Sequence, residues 1–194
     1  SQLASALEKI GIKAGDVVAT ILPNIPAQAE AHFGVPACGA VLNTINTRLD
    51  IDTISYIFEH GEAKVVFADT QFLSVVEAAI EKLSGPRRPT LIEVPYVSAG
   101  FAATGKYETY ESFLRTGNLD FDWIMPQDEW ESLALNYTSG TTGIPKGVVL
   151  NYKAAATATK NLDLLFPLNE NDRFISYLPL SHIAERALVE HGGI

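Results

Sequence analysis

A chain of 194 residues with 47% hydrophobic and 19% charged residues has the make-up of a folded domain with a sizeable core, not of a disordered chain. Its net charge of −9 and pI near 4.8 argue against nucleic acid as a main partner, because a phosphate backbone calls for clustered Lys and Arg. The one cysteine, Cys38, excludes an internal disulfide and a cysteine metal cluster, and no apolar run reaches the roughly 18 residues of a membrane span.

In chain order, Leu3, Ala6, Leu7 and Ile10 share a helical face, and Gly11 stops that helix. Val17–Leu22 has strand length and ends at Pro23–Asn24. Pro26 suits the first turn of a helix, whose continuation to Cys38 is kinked or ended by Pro36. Val41–Ile45 reads as a strand. Asp50 reads as the cap of a helix with Ile51, Ile54, Ile57 and Phe58 on one face, ended by His60–Gly61. Val65–Ala68 and Leu91–Val94 are further strands, separated by a helix that Asp69 or Thr70 caps.

A loop over 95–106, a helix over Tyr107–Leu114 and a loop over 117–130 follow. Later come a helix over Tyr152–Phe166, a turn at Asn169–Asp172, a strand over Phe174–Leu178 and a helix capped by Ser181. Strands alternating with helices at this spacing predict an α/β fold, a mostly parallel sheet flanked by helices. No internal boundary is evident over 1–194. The N-terminus lacks a signal pattern, so a cytoplasmic or organelle-lumen setting is expected.

The chain is organised around Tyr137–Leu150, which reads Y-T-S-G-T-T-G-I-P-K-G-V-V-L. Apolar runs enter and leave a stretch rich in Gly, Ser and Thr, so the pattern is strand, loop, strand. Glycines let several backbone N–H groups approach one anion. Ser139, Thr141 and Thr142 add hydroxyl donors, and Lys146 adds a full charge. Each hydrogen bond to a charged group contributes roughly 1.5–3 kcal/mol, so a handful suffices for a pyrophosphate. A Walker A loop is rejected: Pro145 stands where glycine should precede the lysine, and Gly147 stands where Ser or Thr should follow. On composition alone, a hairpin loop without a ligand stays open beside the anion site.

The order of residues distinguishes the two. Thr138, Ser139, Gly140, Thr141, Thr142, Gly143, Pro145, Lys146 and Gly147 all fall on the pattern T-S-G-T-T-G-x-P-K-G. This resembles the signature loop of the adenylate-forming (AMP-binding) superfamily: acyl-CoA synthetases, peptide-synthetase adenylation domains and luciferases. The resemblance implies that the loop wraps the β- and γ-phosphates of ATP while a carboxylate attacks the α-phosphate. It also implies Thr138 as a Mg²⁺ contact.

Pro179–Leu180–Ser181–His182 follows a predicted strand, where α/β folds place ligand residues, though a histidine there is more often an ordinary one. L-P-L-S-H-I-A-E-R resembles a second segment of the acyl-CoA synthetases, particularly those acting on fatty acids. That implies His182 beside the acyl carboxylate and the path of the incoming thiol, whereas Glu185 and Arg186 are expected to form a solvated helix pair. Ser181 and His182 are not a nucleophile–base dyad, since adjacent side chains diverge. No G-x-S-x-G elbow, H-E-x-x-H or G-x-G-x-x-G is present. Arg87–Arg88 reads as a solvated loop.

Leu22–Pro23–Asn24, Gly39–Asn43 and Asn46–Leu49 resemble the same synthetases less specifically. Residues 20–50 and 121–150 are similar to branches that activate short or aromatic acids, and 165–186 to long-chain synthetases. The position usually held by a histidine after the signature is occupied within Asn151–Tyr152–Lys153.

The resemblance therefore implies the N-terminal, ATP-phosphate-binding part of an acyl-CoA synthetase. The substrates would be a small carboxylic acid, expected to be a fatty acid, with ATP and coenzyme A. The resemblance implies that the adenine contacts, the acidic Mg²⁺ ligand and the C-terminal domain lie downstream of these motifs. The alternative is an isolated pyrophosphate-binding fragment or scaffold without turnover.

Overall fold

The computed structural model describes residues 1–86, 88–138, 143–165, 169, 171–173 and 175–186, with Asp163 described by its backbone alone. Its chain order is α1 (Gln2–Lys9), β1 (Val17–Ile21), α2 (Pro26–Gly34), β2 (Val41–Thr44), α3 (Ile51–His60), β3 (Ala63–Asp69), α4 (Leu73–Glu81), β4 (Thr90–Val94), α5 (Tyr110–Arg115), β5 (Ser132–Thr138), β6 (Lys146–Asn151), α6 (Tyr152–Leu165) and α7 (Ile183–Glu185). The strands form one sheet in the order β4-β3-β1-β2-β5-β6. Neighbours are parallel except β5 and β6, which form an antiparallel hairpin. The chain leaves β1 on one side for β2, crosses to β3 and β4 on the other, and returns to β5. Such a reversal of strand order is where α/β folds place ligand residues, at the carboxyl ends of the strands.

Alternation along the central strands sorts their side chains onto two cores. Val18, Leu42, Val65, Phe67 and Ile92 face α1, α2 and α5, where Leu7, Ala31 and Phe113 are buried. Ala19, Ile21, Val66 and Ala68 face α3 and α4, meeting Ile54, Ile57, Phe58, Leu73 and Val76. Both faces of the central strands are buried, so these strands read as apolar runs. Phe67 meets Tyr110 edge to face, with ring centroids 5.4 Å apart. Burying such a side chain contributes about 1.5–3 kcal/mol.

Local signals set the helix starts. The Asp50 carboxylate accepts the Thr53 N–H at 2.9 Å and caps α3. Pro26 opens α2, which stops at Gly34, and Pro36 starts a separate short 3-10 turn over Pro36–Cys38. Asp69 accepts the Gln71 N–H and caps a 3-10 turn, Thr70–Phe72, that leads into α4. Helix α5 begins at Tyr110, capped by Thr109, three residues later than its pattern suggests.

Two expectations fail near the end of the described chain. Residues 175–178 form no strand, and Phe174 lies outside the described residues. A strand needs a ladder partner; here the Leu178 carbonyl is taken by the side chain of Asn24. The helix after it is a single turn, α7, whose N-cap is His182 and not Ser181. The turn at 169–172 holds, with Asp172 Oδ2 accepting the Asn169 N–H at 2.8 Å. Among the described residues no helix is long and apolar enough to cross a membrane.

Candidate functional site

The site begins with the β5–β6 hairpin. Leu133, Ala134 and Leu135 bury the start of β5, and Thr138 ends it exposed at the carboxyl edge of the sheet. Lys146 opens β6 as the register partner of Thr138. The two ends of the connecting loop are therefore held side by side by backbone pairing. Ser139, Gly140, Thr141 and Thr142 lie outside the described residues. Gly143 has φ of +85°, a conformation a side chain would strain. Lys146 is exposed, with its ammonium free of any described salt bridge.

Beneath the entry to the loop sits an aromatic cluster that sequence reading missed. Tyr137, the register partner of Gly147, shares a 2.7 Å hydrogen bond between its Oη and His60 Nδ1. The His60 ring stacks on Tyr56 at 5.3 Å between centroids and meets Tyr137 edge-on at 5.7 Å. Burial, reinforced by the neighbouring Tyr56, pushes the Tyr137 phenol up to about 12. The phenol is thus neutral at physiological pH. A Cβ on Gly61 would lie 3.2 Å from the Tyr137 hydroxyl, so the end of α3 approaches β5 this closely only because residue 61 has no side chain.

His182 reaches the same edge by side-chain contacts. Asn24, just past the carboxyl end of β1, donates from Nδ2 to the Leu178 carbonyl and accepts the Leu180 N–H on Oδ1, both at 2.8 Å. Asn136 of β5 donates to the Ser181 carbonyl at 3.3 Å. The His182 N–H closes a turn onto the Pro179 carbonyl at 2.8 Å, and its side chain is exposed. The carboxyl ends of β1 and β5 thereby carry the His182 segment and the phosphate-type loop together.

Glu185 and Arg186 are not the solvated pair expected. They are 2% and 1% exposed, and Arg186 Nη1 donates to Asn136 Oδ1 at 3.4 Å. Both side chains are turned inward, Glu185 at the end of α7 and Arg186 as its C-cap. Arg88 bonds the Gly85 carbonyl in the loop before β4, at the opposite edge of the sheet; Arg87 lies outside the described residues.

Among the described residues no three His, Cys, Asp or Glu side chains gather as a metal site. Thr138 offers a hydroxyl oxygen, a hard donor of the kind Mg²⁺ accepts, but no carboxylate cluster accompanies it.

Comparison with known proteins agrees with this architecture. The acetate–CoA ligase of Humulus lupulus is 40% identical in an alignment of 192 positions that covers 93% of this chain and 34% of the ligase. The peroxisomal trans-cinnamate:CoA ligase of Petunia hybrida is 38% identical in an alignment of 197 positions that covers 94% of this chain and 34% of that ligase. The chain thus spans about a third of the length of these curated relatives. The inhibitor-bound N-terminal domain of FACL13 from Mycobacterium tuberculosis superposes with a TM-score of 0.79 and 28% identity over 97% of this chain and 44% of that one. The profile of the AMP-binding enzyme family matches residues 1–193, and the chain belongs to that family as an N-terminal portion.

Proposed function

We propose that this chain is the phosphate-binding part of an acid–CoA ligase. The parent reaction converts a carboxylate and ATP to an acyl-adenylate and pyrophosphate, then passes the acyl group to coenzyme A. The observation that carries this reading is the pairing of Thr138 with Lys146 at the mouth of the T-S-G-T-T-G-I-P-K-G loop. It fixes both ends of a donor-rich loop at the sheet edge that also carries His182. Residues 1–194 form one partial domain in this reading.

Bound ATP supplies the electrophilic phosphorus. Ser139, Thr141 and Thr142 donate hydroxyl hydrogen bonds to its phosphates, and the backbone around Gly140 and Gly143 adds N–H groups. Lys146 neutralises charge that builds on the departing pyrophosphate, the main task in phosphoryl chemistry of this kind. His182 flanks the acid carboxylate and the path of the thiol. Thr138 would hold Mg²⁺ through its hydroxyl oxygen, and the ion would add positive charge beside the phosphates.

The acid is a fatty acid, short chains first, because the relative at 40% identity is named for acetate. An aromatic acid is the competing substrate, since the Petunia relative is named for trans-cinnamate. A cytoplasmic or organelle-lumen setting fits the reading, and the same relative is named as peroxisomal.

Acid-dependent ATP–pyrophosphate exchange with short, aromatic and long acids tests the proposal. Exchange abolished by Lys146→Ala supports a working adenylation site, and the preferred acid identifies the substrate class. The second reading is a pyrophosphate-binding piece without turnover, for which the donor-rich loop and the exposed Lys146 would suffice. Calorimetric pyrophosphate binding with no exchange would select it.

A further inference from the structure

We propose that Asn24 is a positioning residue whose side-chain amide clamps Leu178 and Leu180 and so sets His182 at the carboxyl edge of the sheet. The inference rests on the functional reading of His182 given above. Its geometry stands on three side-chain hydrogen bonds.

Asn24 Nδ2 donates to the Leu178 carbonyl and Asn24 Oδ1 accepts the Leu180 N–H, each at 2.8 Å. A primary amide carries a donor and an acceptor in one plane, so it pairs with a backbone as a strand would. The residue between, Pro179, has no N–H, and a proline cannot serve a strand ladder. The Asn24 amide therefore supplies the pairing that the sheet does not give this segment.

Asn24 is itself rigidly mounted. It stands between Pro23 and Pro26, and the Ile25 N–H closes a turn onto the Pro23 carbonyl at 2.8 Å. The two rings fix φ at Pro23 and Pro26, on either side of Asn24–Ile25. The far end of the segment is secured by Leu180, 7% exposed, and by Asn136 Nδ2 on the Ser181 carbonyl at 3.3 Å. His182 then follows within one turn, its N–H on the Pro179 carbonyl at 2.8 Å. The clamp thus fixes the backbone on both sides of the proline that the His182 turn is built on. Asn24 leaves the phosphate loop untouched, because that loop is anchored by β5–β6 pairing.

The test uses the whole chain and two variants, read by amide hydrogen exchange and histidine NMR. In the native chain the Leu180 amide is expected to be protected; exchange at the open-chain rate would overturn the clamp without any mutation. Asn24→Ala should speed Leu180 exchange by about tenfold, the loss of roughly one hydrogen bond. It should also shift the His182 imidazole signals and leave those of His60 in place. Asn24→Asp keeps an acceptor for Leu180 N–H but presents a second oxygen to the Leu178 carbonyl. It should restore Leu180 protection and return the His182 signals only part of the way. Unchanged His182 signals in Asn24→Ala would overturn the positioning role. Pyrophosphate affinity, measured by calorimetry on the same samples, keeps the two readings apart: no binding by the native chain sinks the phosphate-loop reading and leaves the clamp standing.

Discussion

Tyr137 and His60 are joined by a 2.7 Å hydrogen bond across 77 residues of sequence, linking the strand that enters the signature loop to the end of α3. This contact anchors the loop's first side to the second core of the domain, against which Tyr137 packs, meeting Tyr56 and His60 edge-on. The loop's other side is β6, last in the sheet among the described residues, with Val148 and Val149 exposed.

Tyr137→Phe removes the hydroxyl and keeps the ring. The expected loss of stability is about 0.5–1.5 kcal/mol at neutral pH, checked by urea unfolding. The pH dependence has a definite sign. The phenol stands near 10 when unfolded and is pushed up to about 12 when folded, by burial and then by Tyr56. Its neutral form is favoured in the fold, so its contribution is complete below about pH 10 and is lost as pH rises through about 12. The native protein should therefore lose more stability across that window than Tyr137→Phe does.

Gly61→Ala places a Cβ 2.8 Å from the Ile57 carbonyl, 3.2 Å from the Tyr137 hydroxyl and 3.3 Å from Leu135. Backbone cannot give way as a flexible side chain does. The substitution should destabilise by about 1–3 kcal/mol, as overpacking does. Thermal unfolding checks this, and a Tm equal to that of the native chain would refute the close approach.

Lys146→Ala should weaken pyrophosphate binding by about 1.5–3 kcal/mol, because one charge-assisted contact is lost while the hairpin pairing persists. Calorimetry with pyrophosphate reads it directly. Far-ultraviolet circular dichroism should be unchanged, since Lys146 pairs with Thr138 through backbone alone.

Asp50→Ala should lower Tm at neutral pH. The Thr53 N–H, and then its hydroxyl, hold the Asp50 carboxyl below its ordinary value of 3.8. A depressed carboxyl contributes stability above that ordinary value and loses it as pH falls through the lower folded one. The Tm gap between Asp50→Ala and the native chain should close below about pH 3.8.

The legible parts of this fold are those whose causes are local. Asp50 caps α3 because its carboxylate reaches Thr53 three residues on, within one turn. Pro36 ends α2 because a proline ring cannot continue a helix. The buried strands announce themselves as apolar runs because both faces of the sheet are covered. The signature loop was legible from residue order, and its two flanking strands are β5 and β6.

The run at 174–178 misled for the opposite reason: apolar content marks a segment that wants burial, but only a ladder partner makes it a strand, and in the described residues 175–178 the Leu178 carbonyl is taken by the Asn24 side chain instead. Glu185 and Arg186 misled because charge predicts exposure unless a partner is at hand, and Arg186 has one in Asn136 from 50 residues away.

By itself, then, the sequence determined the alternating α/β order, the Asp50 cap of α3 and the donor-rich loop, since each follows from neighbours within a turn or a strand. Tertiary structure alone decided which distant groups meet: Asn24 with Leu178 across 154 residues, and His60 with Tyr137. The physical reason is that such pairs carry no periodic or local signature; they exist only once the parallel sheet has brought the carboxyl ends of β1 and β5 to one edge.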